Sequence, residues 1–306
     1  MPHIALATCR ALPAWEIDDR PLVEALQGHG ATVETPAWDD PAAGWGRFDA
    51  VLIRTTWDYV PRLGEYLAWA EAVERAGTPL VNPAAVVRWN THKGYLRELS
   101  RAGVPIIPTC WLARGAAVDL HQRVRALQAE RAFLKPVVGA GASDTLRFTT
   151  DPDGLEAATA FSREQLERQE MMLQPYLEKV ETFGEVSAIF VGGRLCHGVR
   201  KVPVSGDYRV QDDFGATDEP YSFEGEEARR AHQVMAAAAA CLGLEGPAEL
   251  LYGRADFLAD AGGDLLLTEL ELVEPSLFFR HGGATAGALA AGLLRSLHGK
   301  RPSRGV

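Results

Sequence analysis

Leu134 to Thr145 reads LKPVVGAGASDT, an apolar run closed by a lysine and followed by small residues. Gly139 and Gly141 let the backbone approach a ligand closely and aim N–H groups at oxygen anions, Ser143 adds a hydroxyl, and Lys135 supplies a compact cation. That is phosphate-binding chemistry. The run lacks the GKS/T ending of a Walker loop, and taken alone it fits a glycine-rich hairpin with a surface lysine equally well.

A second group is acidic. RADF at Arg254 to Phe257 is followed by LLTELEL at Leu266 to Leu272. Residues two apart in a strand share a face, so Glu269 and Glu271 project together while Leu270 and Leu272 pack inward. Neighbouring carboxylates repel unless a cation lies between them, and hard oxygens at this density suit Mg²⁺ bridging to phosphate. Arg254 sits two residues before Asp256, as a phosphate clamp on the same side. A solvent-facing edge strand is the plain alternative. The third group, HGVRKVPVSGDYRVQDDFGA at His197 to Ala216, sets Arg200, Lys201 and Arg209 among glycines. Such a loop suits anion recognition and closure over a substrate; a solvated loop is the alternative.

These segments need a frame to hold them. Ile4–Thr8 and Ala50–Thr55 are short apolar runs that read as buried parallel strands. Between them Asp18 caps a helix running to Gln27, and Ala31–Glu34 adds a short strand. A helix over Leu63–Ala76 and a strand over Pro79–Asn82 complete an open α/β lobe. The pattern then predicts a helix over Asn90–Arg101 and strands at Ile106–Pro108, Phe133–Val138 and Thr145–Thr149. A helix of the Glu156–Gln169 kind and a strand at Met171–Pro175 follow. Glu185–Val191 and Leu195–Val202 flank GlyGly at 192 and 193, the mark of an antiparallel hairpin. A helix at Glu226–Leu242, strands at Tyr252–Ala259 and Asp264–Leu272, and a helix from Ala284 to Leu297 close the chain.

The chain has 306 residues, 47% hydrophobic and 24% charged, ample for a large core and outside the range of disordered or disulfide-scaffold sequences. Its net charge of −10 argues against broad binding to nucleic acid or an anionic membrane. Cys9, Cys110, Cys196 and Cys241 are far apart and form no CxxC pair, so each is expected to be a small apolar core residue. No run is long enough to span a membrane, and no charged leader precedes a long apolar stretch, so the expected location is cytoplasmic.

Taken in order, the three groups resemble the ATP-grasp superfamily, in its glutathione-synthetase-like branch, over almost the whole chain. The resemblance implies an α/β fold of α+β lobes: an N-terminal open parallel α/β lobe for substrate (1–88), a small central lobe with the phosphate loop (89–178) and a C-terminal antiparallel-sheet lobe carrying the metal ligands (179–306). It implies ATP and Mg²⁺, for which Mn²⁺ can substitute. Lys93, in WNTHKGYL, and Lys135 would bind the ATP phosphates with Gly139, Gly141 and Ser143. Gln174, Tyr176 and Leu177, in LQPYL, would form the hinge against adenine, Glu185 in GEVS the ribose acid with Glu181 as its competitor, and Lys201 would lie beside the nucleotide. Asp256, Glu269 and Glu271 would hold Mg²⁺, Glu271 standing where many relatives carry Asn. GDYRVQDDFGA is similar to the GDFR-type loop of the ribosomal-protein glutamate ligases, which makes Arg209 and Arg200, with Arg254, the catalytic candidates.

The texture of TCRALP, IRTTWDY and EPSLFFRHG is most similar to the cyclo-ligases that form D-cycloserine from O-ureido-D-serine. The implied reaction is ADP-forming: a carboxylate takes the γ-phosphate, and a nitrogen then displaces phosphate from the acyl-phosphate. An intermolecular amino-acid or peptide ligase and a non-catalytic ATP-binding regulator share these residues. The complete set of three carboxylates and two lysines favours an enzyme. The implied partner is a small amino-acid-like carboxylate, with no nucleic acid or membrane, and homodimers are frequent in the superfamily. Thr8, Arg10, Trp57, Asp58 and Tyr59, just after strands of the first lobe, are the expected substrate pocket. His281 is placed either near substrate or at the surface. Val138–Ser143 and Gly206–Gly215 are the expected moving loops.

Overall fold

The computed structural model describes residues 1–12, 17–141, 143–204, 206–210 and 215–299. Among them three sheets form in chain order. β1 (His3–Thr8), β2 (Thr32–Glu34), β3 (Ala50–Thr55) and β4 (Leu80–Val81) make a parallel sheet in the order β2-β1-β3-β4. All six residues of β3 are buried, as expected where elements cover both faces of a parallel sheet. α1 (Arg20–Gly28) turns Leu22 and Leu26 inward, and α2 (Leu63–Arg75) buries Tyr66, Trp69, Ala70 and Val73 on the aromatic side.

The central sheet is antiparallel, in the order β5-β8-β6-β7, from β5 (Cys110–Leu112), β6 (Arg131–Pro136), β7 (Leu146–Thr149) and β8 (Met171–Pro175). Along β6, Ala132, Leu134 and Pro136 are buried while Arg131, Phe133 and Lys135 alternate with them. The first set packs with α5 (Leu120–Leu127) and α6 (Pro152–Arg168). Asp119 and Asp151 cap these two helices, accepting from the N–H groups of Gln122 and Gly154.

The C-terminal sheet runs β11-β10-β9-β12-β13, all antiparallel, from β9 (Glu185–Val191), β10 (Arg194–Val202), β11 (Thr217–Tyr221), β12 (Tyr252–Ala259) and β13 (Leu265–Glu271). Gly192 and Gly193 both take positive φ in the β9–β10 turn, and a side chain at 193 would collide with the backbone of Pro247 and Ala248. One face packs α7 (Gly225–Cys241). Residues 90–101, read from sequence as one helix, belong instead to two helices, α3 (Ala84–Asn90) and α4 (Tyr95–Arg101), broken at 91–94. Both pack with α7 on this sheet, burying Val86, Tyr95, Leu96 and Leu99.

The other face shares its core with the N-terminal lobe. Ile4, Leu6, Leu22, Leu26 and Leu52 join Ile189, Val199, Tyr252 and the residues of α8 (Thr285–Gly299) in one buried cluster. Polar ties run through the same seam. The fully buried Asn82 donates to the carbonyls of Tyr252 (3.0 Å) and Leu272 (2.8 Å) and accepts from the Leu251 N–H (2.9 Å). The Tyr252 hydroxyl bonds the carbonyls of Ile53 and Val273, and Arg54 pairs with Asp19 at 2.8 Å while donating to Pro275 O. Among the described residues no helix is long and apolar enough to cross a membrane. The cysteines are free; Cys9 is buried, Cys110 and Cys241 are half-buried, and Cys196, also expected in the core, is exposed near the β9–β10 hairpin.

Candidate active site

β12 and β13 pair so that Arg254 lies opposite Glu271 and Asp256 opposite Glu269. The intervening Ala255 and Leu270 are buried against α7, so the four charged residues share the other face. β13 is the sheet's last strand, yet its open edge is satisfied: Asn90 accepts from Leu272 N (2.6 Å) and donates to Leu270 O (2.8 Å), and Tyr95 accepts from Leu270 N (2.9 Å). This excludes the solvated edge strand and fixes where Glu269 and Glu271 point.

On the next strand Ser187 lies opposite Asp256 and donates to it at 2.5 Å. Lys201, opposite Glu185 across β9–β10, is ion-paired with it and lies 3.7 Å from Asp256. Arg254 forks onto Asp256 with bonds of 2.9 Å from both Nε and a terminal nitrogen, also pairs with Glu271, and donates to Ser276 O. Lys93, in the break between α3 and α4, places its ammonium 2.9 Å from Glu269 and 2.7 Å from the carbonyl of Gly139. Its own N–H bonds Val137 O. Lys135 enters from β6, in the field of Glu269, Lys93, Glu185 and Asp256.

The electrostatics follow from this crowding. Burial acts to raise Asp256, but Arg254 and Lys201 outweigh it and hold the carboxyl at about 2. Burial likewise opposes Glu269, and Lys93 with Lys135 overcome it, so that group is lowered. Glu271 goes the other way: burial pushes it up to about 8 against the pull of Arg254. Lys135 is depressed by burial. The acids are hard oxygen donors on adjacent register positions, so they suit Mg²⁺ in kind. Among the described residues no three of them converge into a metal cluster, since Arg254 and Lys93 engage their oxygens.

The loop expected to bind phosphate adjoins this face, since Lys93 bonds both Glu269 and Gly139. Gly141 has positive φ, and a side chain at Gly139 would strike Pro136. Ser143 N–H bonds Ala140 O; Ala142 lies outside the described residues. At the hinge, Gln174 is buried and donates to Thr109, Tyr176 N–H bonds Arg131 O, and Leu177 leads into the turn bearing Glu181. Glu181 accepts from Tyr176 (2.6 Å), Arg147 (2.9 Å) and Arg131 (3.3 Å), whereas Glu185 shares the face of the other acids.

Three expected residues stand apart. Arg200 faces the side opposite Lys201, ion-paired with Glu219 and over the Phe183 ring, because consecutive strand residues alternate. Arg209 pairs with Asp207 (2.7 Å) in its own loop. His281 bonds Asp218 at 2.5 Å. That loop docks through Tyr208, whose hydroxyl lies 3.0 Å from Thr145 and whose ring meets Phe133 edge-on. Gln211–Phe214 of the expected moving segment lie outside the described residues. In the first lobe Arg10 pairs with Asp39, Asp58 takes the Trp38 indole, and Thr8 bonds Thr55. Trp57 and Tyr59 instead reach Glu274, a residue the sequence reading passed over within EPSLFFRHG.

Known proteins share this layout. Residues 4–82 match the family described as D-cycloserine synthetase DcsG, N-terminal domain, and residues 111–242 match the prokaryotic glutathione synthetase ATP-grasp domain. The cycloserine biosynthesis protein DcsG of Streptomyces lavendulae is 33% identical over 288 residues, spanning 90% of this chain and 93% of that protein. The crystal structure of D-cycloserine synthetase DcsG superposes with a TM-score of 0.86 at 31% identity over 96% of this chain and 99% of that one. D-Alanine–D-alanine ligase from Bacillus anthracis, complexed with ATP, shares the fold at a TM-score of 0.70, 13% identity and full coverage of both chains. The chain belongs to the ATP-grasp superfamily as an ADP-forming carbon–nitrogen ligase of the DcsG family.

Proposed function

We propose that the chain is an ATP- and Mg²⁺-dependent cyclo-ligase that closes O-ureido-D-serine toward D-cycloserine, acting in the cytoplasm, with Mn²⁺ able to replace Mg²⁺. The observation that carries the ligase chemistry is the convergence of Lys93, Lys135 and Arg254 on the face of Asp256, Glu269 and Glu271. The substrate assignment draws on the 33% identity to the cycloserine biosynthesis protein.

Asp256, Glu269 and Glu271 are the residues that would hold Mg²⁺, which when bound would supply charge neutralisation for the transferring phosphoryl group. Lys93, Lys135 and Arg254 turn their donors from the carboxylates to phosphate oxygens, and the backbone of Gly139–Gly141 with Ser143 cradles the same chain. Gln174, Tyr176 and Leu177 line adenine, Glu185 takes the ribose, and Lys201 holds Glu185 in place. Arg209 is carried by the loop that Tyr208 docks, and serves the acyl-phosphate. Phosphoryl transfer needs mainly positioning and charge, which these groups provide.

The substrate carboxylate attacks the γ-phosphorus and ADP leaves. The nitrogen bonded to oxygen then attacks the acyl carbon, expelling phosphate and losing its proton. Water finally removes the carbamoyl group as carbon dioxide and ammonia, which balances the ring product. Because nucleophile and electrophile share one molecule, the pocket needs only to hold the ends together.

ADP release is to be measured with ATP and Mg²⁺ across a panel of carboxylates with and without added amines, with product mass recorded. Turnover on O-ureido-D-serine alone with a ring product supports this reading; turnover that needs a separate amine refutes it in favour of an intermolecular ligase.

A further inference from the structure

Five carboxylates surround the acidic face, and four have a cation: Asp256 and Glu271 share Arg254, Glu269 has Lys93 and Glu185 has Lys201. Glu274, three residues beyond Glu271, has none within ion-pair reach among the described residues. It is half-buried. Its carboxyl lies close to the Tyr59 phenol and in the field of Lys93 and Glu269. Its carbonyl accepts from the Trp57 indole at 3.0 Å, and that indole is 39% exposed. Glu274 thus stands where the aromatic wall of the first lobe meets the phosphate end of the site. Burial pushes it up to about 7, the behaviour of a carboxylate short of a positive partner.

The surroundings say what kind of cation fits. Lys93 bonds Glu269 and Gly139 and makes no ion pair with Glu274. A metal ion wants several oxygen ligands, whereas one carboxylate beside a phenol, with an exposed indole nearby, suits an organic ammonium. In an α-amino acid the ammonium is two bonds from the carboxyl carbon. A substrate whose carboxylate lies by Glu269 and Lys93 therefore carries its ammonium only a few ångströms farther, toward Glu274.

We propose that the Glu274 carboxylate, oriented by Tyr59 and flanked by Trp57, binds the ammonium of an α-amino-acid substrate and selects amino acids over plain carboxylic acids. This rests on the ligase reading above and names a specificity residue within it.

The test compares kcat/KM for O-ureido-D-serine and for its analogue lacking the amino group, by ADP release, in the wild type, Glu274→Gln and Tyr59→Phe. The wild type should prefer the amino acid by about 10–100-fold, the worth of a hydrogen bond to a charged group. Glu274→Gln should lose most of that preference, through KM for the amino acid, with KM for ATP unchanged; Tyr59→Phe should lose part of it. Undiminished preference in both variants, or a fall in kcat with the preference intact, overturns the proposal. If Glu274→Gln does not fold, Tyr59→Phe decides alone. Should a different amino acid drive ADP release, the substrate reading falls, and the same comparison between that compound and its own des-amino analogue still decides the role of Glu274.

Discussion

The ammonium of Lys93 stands 2.9 Å from the carboxylate of Glu269, and the same nitrogen bonds the carbonyl of Gly139, so one side chain ties the acidic face to the phosphate loop. Loss of either partner removes charge from the point where the proposed mechanism gathers phosphoryl oxygens. Lys93→Ala and Glu269→Gln are each expected to lower kcat for ADP release by on the order of 10²–10³, if oxyanion donors elsewhere are a guide. Circular dichroism should show the fold retained. Near-normal turnover in both variants would remove these residues from the site.

Tyr208 pins its loop to the central sheet through Thr145, Phe133 and the Arg147 guanidinium, which lies 5.3 Å from its ring. A docked loop keeps water from an acyl-phosphate. Tyr208→Ala is therefore expected to release ADP in excess of ring product, because hydrolysis competes with closure. Parallel assays of ADP and product give the ratio; a ratio equal to the wild type's speaks against this role.

Asn82 satisfies three backbone groups of the C-terminal sheet region from inside the protein. In Asn82→Ala these groups lose their partners, at roughly 1–3 kcal/mol each, so destabilisation of about 3 kcal/mol or more is expected. Denaturant unfolding measures it. A loss under about 1 kcal/mol would mean that water replaces the amide.

Glu34 pairs with Arg47 and His3, and the hydrogen bond from Arg47 lowers its carboxyl to about 2 from the usual 4.5. A depressed folded-state value means the contribution is complete above about pH 4.5 and is lost as pH falls toward 2. The Tm gap between wild type and Glu34→Gln should be small, since the pair is exposed. It should be constant above pH 5 and close by pH 2. A gap that widens on acidification would contradict the sign.

The strands were the most legible part of the chain. Met171–Pro175, Glu185–Val191 and Tyr252–Ala259 sit where their apolar runs put them, because a strand covered on both faces is written as a short apolar stretch bounded by turn residues. Alternation along β10 separates Lys201 from Arg200, a distinction that charge type alone did not make. Lys93 was recognised by its sequence neighbours, but the helix drawn through it hid the break at 91–94 that lets it reach Glu269. α5 and β11 were missed: their faces are short and polar, and packing rather than pattern decides them. The strand expected at Ile106–Pro108 is only an isolated bridge from Ile106 to Leu267, and the strand itself, β5, lies at Cys110–Leu112. Glu274 left no local signal. Its meaning comes from Tyr59 and Trp57, more than 200 positions away in the sequence.

The core shared by the first lobe and the C-terminal sheet makes substrate wall and metal face one solid anvil, clamped by Asn82, Tyr252 and Arg54. The central sheet keeps a core of its own around Leu134 and Leu173, yet sends Val137 and Met172 into the core of the C-terminal sheet. A hinge between the two sheets would therefore have to part that second, shared patch, whereas the first lobe and the C-terminal sheet are held as one body.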